Sequence, residues 1–250
     1  MFGWRASMVA VVFGMFATPL AASDVHVVGL AGMRPLMNEL GPVFEAQTGH
    51  KVVARYGSGE ESRRIVEAGE PFDVSVLNPA LTRTFVEQGK IADASVRELF
   101  RNGTGVVIRA GAPKPDISTP DALKRAILNV ATIAYSPGRA SGIHVEKVLA
   151  QLGIADQMRS RTKAQPLPDV VAKAVANGEA EMGFAAMNLL VGVPGAEVVG
   201  PFPAAVQEYI VFTIGLSASA RNLAAARAFV EFLQSEMARS VMRRQGLEPN

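Results

Sequence analysis

Between Asp24 and Ile91 the chain runs three times from a short apolar segment into an amphipathic one, and this alternation constrains its fold more than any other feature. "DVHVVGLAG", Asp24 to Gly32, alternates and is rich in valine, which reads as a strand. "MRPLMNELGPVFEAQTG" carries Leu36, Met37, Leu40, Val43 and Phe44 at helical spacing, and Gly49 stops it. "HKVVARY" is a second strand, followed by the turn Gly57-Ser58-Gly59 and a charged helix to Ala68. "PFDVSVLN" is a third strand and "PALTRTFVEQGKI" a third helix. Strands joined through helices in this way pair side by side as a parallel sheet with helices on its faces.

A second set follows. "GTGVVIRAG" reads as a strand, Pro113 to Pro120 as a loop, and "NVATIAYSPG" as a strand. "SGIHVEKVLAQLGI" is an amphipathic helix with Ile143, Val145, Val148, Leu149 and Leu152 on one side. "LPDVVAKAVANGEAEMGFAA" predicts a helix to Asn177 and a short strand around Met182 to Ala185. "AEVVGPFP" and "EYIVFTIGLS" are strands, and Arg221 to Arg244 reads as one long amphipathic helix. The expected fold is α/β with two lobes, each a mostly parallel sheet flanked by helices. Lobe 1 is expected to take 24–106 and 212–250, with the last helix packing back on it, and lobe 2 to take 107–211. At 250 residues and 49% hydrophobic, the chain can give each lobe its own core.

The first residues, "MFGWRASMVAVVFGMFATPLAAS", carry Arg5, an apolar run from Ala6 to Ala17, and small residues at Ala21, Ala22 and Ser23. This is the pattern of an export leader, residues 1–23, cleaved after Ala22 or Ser23. The apolar run, about 12 residues, falls short of the roughly 20 a membrane span needs. There is no cysteine, hence no disulfide, no thiol nucleophile and no lipid-anchored cysteine. Such a chain fits a bacterial periplasm and does not span a membrane once processed. Its 25 Lys and Arg against 23 Asp and Glu form no basic block, so no nucleic-acid partner is expected. No G-x-S-x-G, Walker or H-E-x-x-H motif occurs, and no cofactor or metal is expected.

In open α/β sheets ligands lie beyond the carboxyl ends of the strands, against helix N-termini whose free N–H groups suit an anion. Five such junctions supply the candidate ligand-binding residues. They are Gly32, Met33 and Arg34 at the first; Ser58 and Gly59 at the second; Arg139, Ala140 and Ser141 at the third; Val170 at the fourth; and Ala186 and Asn188 at the fifth. Arg63 and Arg64 lie one turn past Ser58 and read as solvated partners of Glu60 and Glu67.

The strings "VVGLAGMRPLMNELGPVFEAQTGHKV", "YGSGEESRRIVEAGEPFDVSVLN", "VEQGKI", "YSPGRASGIHVEKVLAQLG" and "VANGEAEMGFA" resemble the periplasmic molybdate-binding proteins of ABC transporters, within the type II solute-binding fold. The resemblance runs from about Asp24 to Leu247. It implies a monomer that closes two lobes on a small anion and presents it to a membrane permease. It places Ser58 at a retained ligand serine, matches Ala140 and Ser141 to a loop that offers a backbone amide, and puts another amide near Val170. Two positions depart from the pattern: Gly32 stands where the first loop has a serine, and Ala186 stands near a tyrosine position. Arg34 and Arg139 stand at the mouth instead, and arginine forks match carboxylates two oxygens at a time. Two readings stay open. One is a binder of a molybdate-like oxyanion or small carboxylate. The other is an isomerase of cis- and trans-aconitate, an activity found on a similar sequence, needing no cofactor but a general base. His144, Tyr135 and Asp169 are the candidates for that base; Asp169 is otherwise expected to cap its helix.

Overall fold

The structure is a computed structural model that describes residues 23–250. The expected leader and its cleavage site therefore lie outside the described residues, apart from Ser23. β1 (Asp24–Leu30), α1 (Arg34–Thr48), β2 (Lys51–Gly57), α2 (Gly59–Glu67), β3 (Val74–Leu77) and α3 (Pro79–Glu87) form as the alternation predicts, with β2, β1 and β3 parallel in that order. β4 (Arg97–Arg109), α4 (Pro120–Asn129), β5 (Ile133–Tyr135), α5 (Ala140–Gln151), α6 (Ala155–Arg159) and β6 (Thr162–Ala164) follow. Then come α7 (Val171–Ala176), β7 (Met182–Ala186), α8 (Met187–Leu190), β8 (Ala196–Pro201), β9 (Tyr209–Leu216), α9 (Leu223–Leu233), α10 (Glu236–Arg244) and β10 (Glu248–Pro249).

β4 ties the two lobes together. From Arg97 to Gly103 it pairs antiparallel with β9, which in turn pairs with β3. From Thr104 onward it pairs antiparallel with β7 and β8 instead. β5 then runs parallel to both β6 and β7. The parallel strands thus form the outer flank of each lobe, and antiparallel strands form the junction between them. At the changeover Gln207 stands in for a strand partner: its amide oxygen accepts from Thr104 N at 3.0 Å and its amide nitrogen donates to Thr104 O at 2.9 Å.

Each lobe has its own core. In lobe 1 the predicted α1 stripe is buried at Leu36, Met37, Leu40 and Phe44, and Phe44 meets Phe229 edge-on with ring centres 5.1 Å apart. Phe229, Leu233, Val241 and Met242 pack the C-terminal helices against this core. In lobe 2, Phe184 packs edge-on against Phe202 at 5.5 Å, among Val145, Val148, Leu149 and Met182. Each such side chain contributes about 1.5–3 kcal/mol by leaving water. Asp73, 1% exposed, accepts from the N–H groups of His26 (2.9 Å), Arg221 (2.8 Å) and Asn222 (3.3 Å), so a buried carboxylate pins α9 to β1.

The structure corrects several expectations. β4 begins at Arg97 rather than near Gly103; a bulge between Glu98 and Phe100 turns both Leu99 and Phe100 inward and breaks the alternation that marks a strand. The C-terminal helix is two helices, because Ser235 adopts an extended backbone and its hydroxyl accepts from Ala238 N at 3.2 Å, starting α10 afresh. Ile143 is 45% exposed; the buried stripe of α5 uses His144 in its first turn. The short α6 and β6 carried too few apolar residues to be foreseen. No helix among the described residues is long and apolar enough to cross a membrane.

Candidate functional site

All five junctions lie at the carboxyl ends of β1, β2, β5, β6 and β7, and a chain of hydrogen bonds brings the two lobes' edges together. Asn188 Nδ2 in lobe 2 donates to the carbonyl of Gly32 in lobe 1 at 3.0 Å. Asn188 Oδ1 accepts from Asn102 Nδ2 on β4 at 2.7 Å. Because a main-chain carbonyl only accepts, this order fixes both amides. Two predicted residues, Gly32 and Asn188, thus meet directly where the two lobes adjoin. Asn102, 3% exposed, was not foreseen; its own amide oxygen is buried without a partner among the described residues.

On the lobe 1 side, a Cβ on Gly32 would come within 3.0 Å of the Phe212 ring, so that ring occupies the space a serine here would need. Met33 turns into the lobe 1 core, and its side chain does not face the cleft. Arg34 is exposed at the start of α1, its guanidinium 5.7 Å from the centre of the Tyr56 ring. Burial pushes the Tyr56 phenol up to about 12, so it stays protonated at neutral pH. Ser58 caps α2: its hydroxyl accepts from Glu61 N at 3.2 Å, and Glu61 Oε2 accepts from Ser58 N at 2.6 Å. That backbone N–H holds the Glu61 carboxyl below its ordinary value. The first amides of α2, beginning with Gly59, have no acceptor within the helix, and the Ser58 O–H is still available as a donor. Arg63 lies 3.9 Å from Glu60 and 3.6 Å from Glu67, as a solvated helix-face residue does.

On the lobe 2 side, α5 starts hard against the end of β5. A Cβ on Gly142 would fall 1.8 Å from the carbonyl oxygen of Ser136, so only glycine lets the helix begin here. Arg139, exposed and extended at the N-cap, precedes Ala140 and the buried Ser141 in the first turn. Their free amides and the positive end of the helix dipole favour a negative group. Val170 is half-buried in a short turn before α7, and Ala186 is buried at the end of β7.

The three candidates for a base do not converge. His144, 4% exposed, has Nδ1 2.8 Å from Thr104 Oγ1 and Nε2 2.8 Å from Val206 O, with Glu208 N donating to Nε2 at 3.1 Å. Tyr135 belongs to the lobe 2 core; burial, then the charge of Glu146, raises its pKa. Asp169 is exposed inside the turn before α7 and makes no capping hydrogen bond, which corrects the expected cap. The helix proper starts two residues later, out of its reach. Asn102, Thr104, Phe212 and Gln207 were missed because each sits mid-strand or in a connection, where nothing local marks a cleft.

Comparison with known proteins places this geometry. Residues 25–248 match the family model described as bacterial extracellular solute-binding protein. A relative from Pseudomonas sp. named aconitate isomerase is 30% identical, over 93% of this chain and 92% of its own. The molybdate-binding protein ModA of Azotobacter vinelandii is 26% identical over 96% of this chain and 95% of its own. A solved Azotobacter vinelandii periplasmic molybdate-binding protein superposes with a TM-score of 0.67 at 22% identity, covering 90% of this chain and 99% of that one, which shows the fold.

Proposed function

The chain belongs to the bacterial extracellular solute-binding protein family, and on that premise we propose that it captures a small anion between its lobes, a carboxylate with at least two acid groups. The observation that carries this is the pair Arg34 and Arg139. One stands on each lobe at a junction, both are exposed, and neither has an acidic partner within 4.0 Å among the described residues. Two planar forks, one at a junction of each lobe, suit two carboxylates better than one compact tetrahedral ion. The first-loop hydroxyl that would serve such an ion is absent, and Phe212 fills its space. Ser58, Gly59, Ala140, Ser141 and the amide near Val170 supply the neutral donors.

In this reading the leader exports the chain to the periplasm, where it acts as a monomer and hands its ligand to an ABC permease. The expected division is 24–106 with 212–250 and 107–211; the change of β4 partners at Gly103–Thr104 and the pairing of β9 from Tyr209 favour crossings about three residues earlier in each connection.

A second reading is favoured by the identity to aconitate isomerase: the same cleft isomerises aconitate. The two arginines would hold carboxylates while a base takes a carbon-bound proton and returns it to another carbon. Of the three candidate bases, Asp169 is the exposed one, whereas Tyr135 and His144 are buried.

The test is a thermal-shift panel on residues 24–250 with molybdate, tungstate, sulfate, phosphate, citrate, and cis- and trans-aconitate. A ligand that binds only the folded state raises the Tm. Shifts with the carboxylates and none with the metal oxyanions are expected; the reverse overturns the carboxylate assignment. Proton NMR of each aconitate isomer with the protein then separates binding from turnover.

A further inference from the structure

His144 connects the site to the hinge. It lies on α5, whose first turn carries Arg139, Ala140 and Ser141, yet its ring reaches neither solvent nor the cleft wall. It meets both of the connections by which the chain passes between lobes. Nδ1 is 2.8 Å from the hydroxyl of Thr104, the first residue of β4 on the lobe 2 side. Nε2 faces the segment leading into β9, with the Val206 carbonyl at 2.8 Å and the Glu208 amide at 3.1 Å.

These contacts make incompatible demands. The Val206 carbonyl needs a proton on Nε2; the Glu208 amide needs a lone pair there. A neutral imidazole carries its proton on one nitrogen. With the proton on Nε2, the ring donates to Val206 O and accepts from the Thr104 hydroxyl. With the proton on Nδ1, it donates to Thr104 Oγ1, accepts from Glu208 N and gives up Val206. The hydroxyl rotates to suit either, so Thr104 does not decide between them. Two fully formed hydrogen-bond patterns therefore exist, and they differ in which peptide group of the second connection is held.

We propose that His144 is the positioning residue that couples occupancy of the α5 junction to closure of the lobes, by exchanging these two tautomers. The inference rests on the cleft being the ligand site. Lobe closure turns the two connections, and a bistable hydrogen-bond element on them gives the hinge discrete positions rather than a continuum. The Val206 carbonyl, at 2.8 Å against 3.1 Å for the Glu208 amide, assigns the Nε2-protonated form to the arrangement seen here; ligand capture selects the other.

The chain has only His26, His50 and His144, so imidazole 15N spectra resolve to three rings, and a His144→Gln variant identifies the relevant one. With no native cysteine, spin labels at Glu67→Cys and Gln151→Cys, exposed residues of α2 and α5, report the interlobe distance. Expected are a switch from Nε2-H to Nδ1-H when a binding anion from the panel saturates the protein, and an affinity about tenfold weaker in His144→Gln. Thr104→Val, which keeps shape and removes the Nδ1 partner, should weaken affinity by less, and serves if His144→Gln fails to fold. A tautomer unchanged by a bound anion, or wild-type affinity in both variants, overturns the proposal while leaving the cleft reading intact. The distance arm needs no ligand: His144→Gln should broaden the free protein's interlobe distribution, and an unchanged distribution overturns the coupling. A bound anion that leaves the wild-type distance unaltered counts instead against the cleft as the site.

Discussion

Gly142→Ala tests how the lobe 2 half of the site is built. The added Cβ would lie 1.8 Å from Ser136 O, 2.7 Å from Ser136 C and 3.3 Å from Pro137 Cα. A carbon and a carbonyl oxygen in contact sit about 3.3 Å apart, so the start of α5 must retreat by roughly 1.5 Å. All three obstacles are backbone, which has no rotamer to escape into. The expected cost is therefore near the top of the overpacking range, about 3 kcal/mol. For a chain of this size that lowers the Tm by roughly 6–12 °C. The retreat also carries Arg139, Ala140 and Ser141 away from the opposite wall, so ligand-induced stabilisation should fall as well. The control is Gly69→Ala, where φ is +74° and nothing lies within 4 Å of the new carbon. There only backbone strain remains, about 1 kcal/mol. Differential scanning fluorimetry with and without ligand reads both quantities. A Gly142→Ala protein melting within about 2 °C of wild type, with its ligand shift intact, would refute the reasoning that this close approach sets the junction.

Other outcomes follow from the same geometry. Asp73→Ala leaves three backbone N–H groups without their acceptor and should cost about 3 kcal/mol or more in urea unfolding, without altering which anions bind. Ser136 keeps a buried hydroxyl with no partner among the described residues, so Ser136→Ala should be neutral or stabilising by up to about 1 kcal/mol; lost stability would mean the hydroxyl has a partner in solution. Glu61 titrates below its ordinary value of 4.5 because it accepts from Ser58 N, so its contribution is present above that pH and lost as pH falls through the lower folded value. Acid melts of Glu61→Gln should lack that part of the decline, and a curve parallel to wild type below pH 4.5 would argue against the capping role.

Local pattern carried much of the architecture. The stripe Leu36, Met37, Leu40 and Phe44 needed only helical period to declare its buried face. The Gly-Ser-Gly turn announced a helix start, and Ser58 is its cap. Pattern failed where tertiary contacts overrule period: the bulge that buries both Leu99 and Phe100, and the break at Ser235 within an otherwise continuous amphipathic run. It also misread Ile143 as part of the buried stripe, since the neighbouring His144 takes the inward position and meets Thr104.

The alternation of strands and helices therefore determined the α/β class, the two lobes' building blocks and the row of helix starts where a ligand belongs, because those depend on neighbours within a few residues. What faces what was decided only in three dimensions. Gly32 and Asn188 are 156 positions apart and meet across the cleft; His144 reaches Thr104, 40 positions back, and Val206, 62 positions on. Nothing in the residues around Asn102 or Thr104 marks them as lying where the lobes join. They stand there because β4 changes sheets between Gly103 and Thr104, and only long-range pairing dictates where a strand changes its partners.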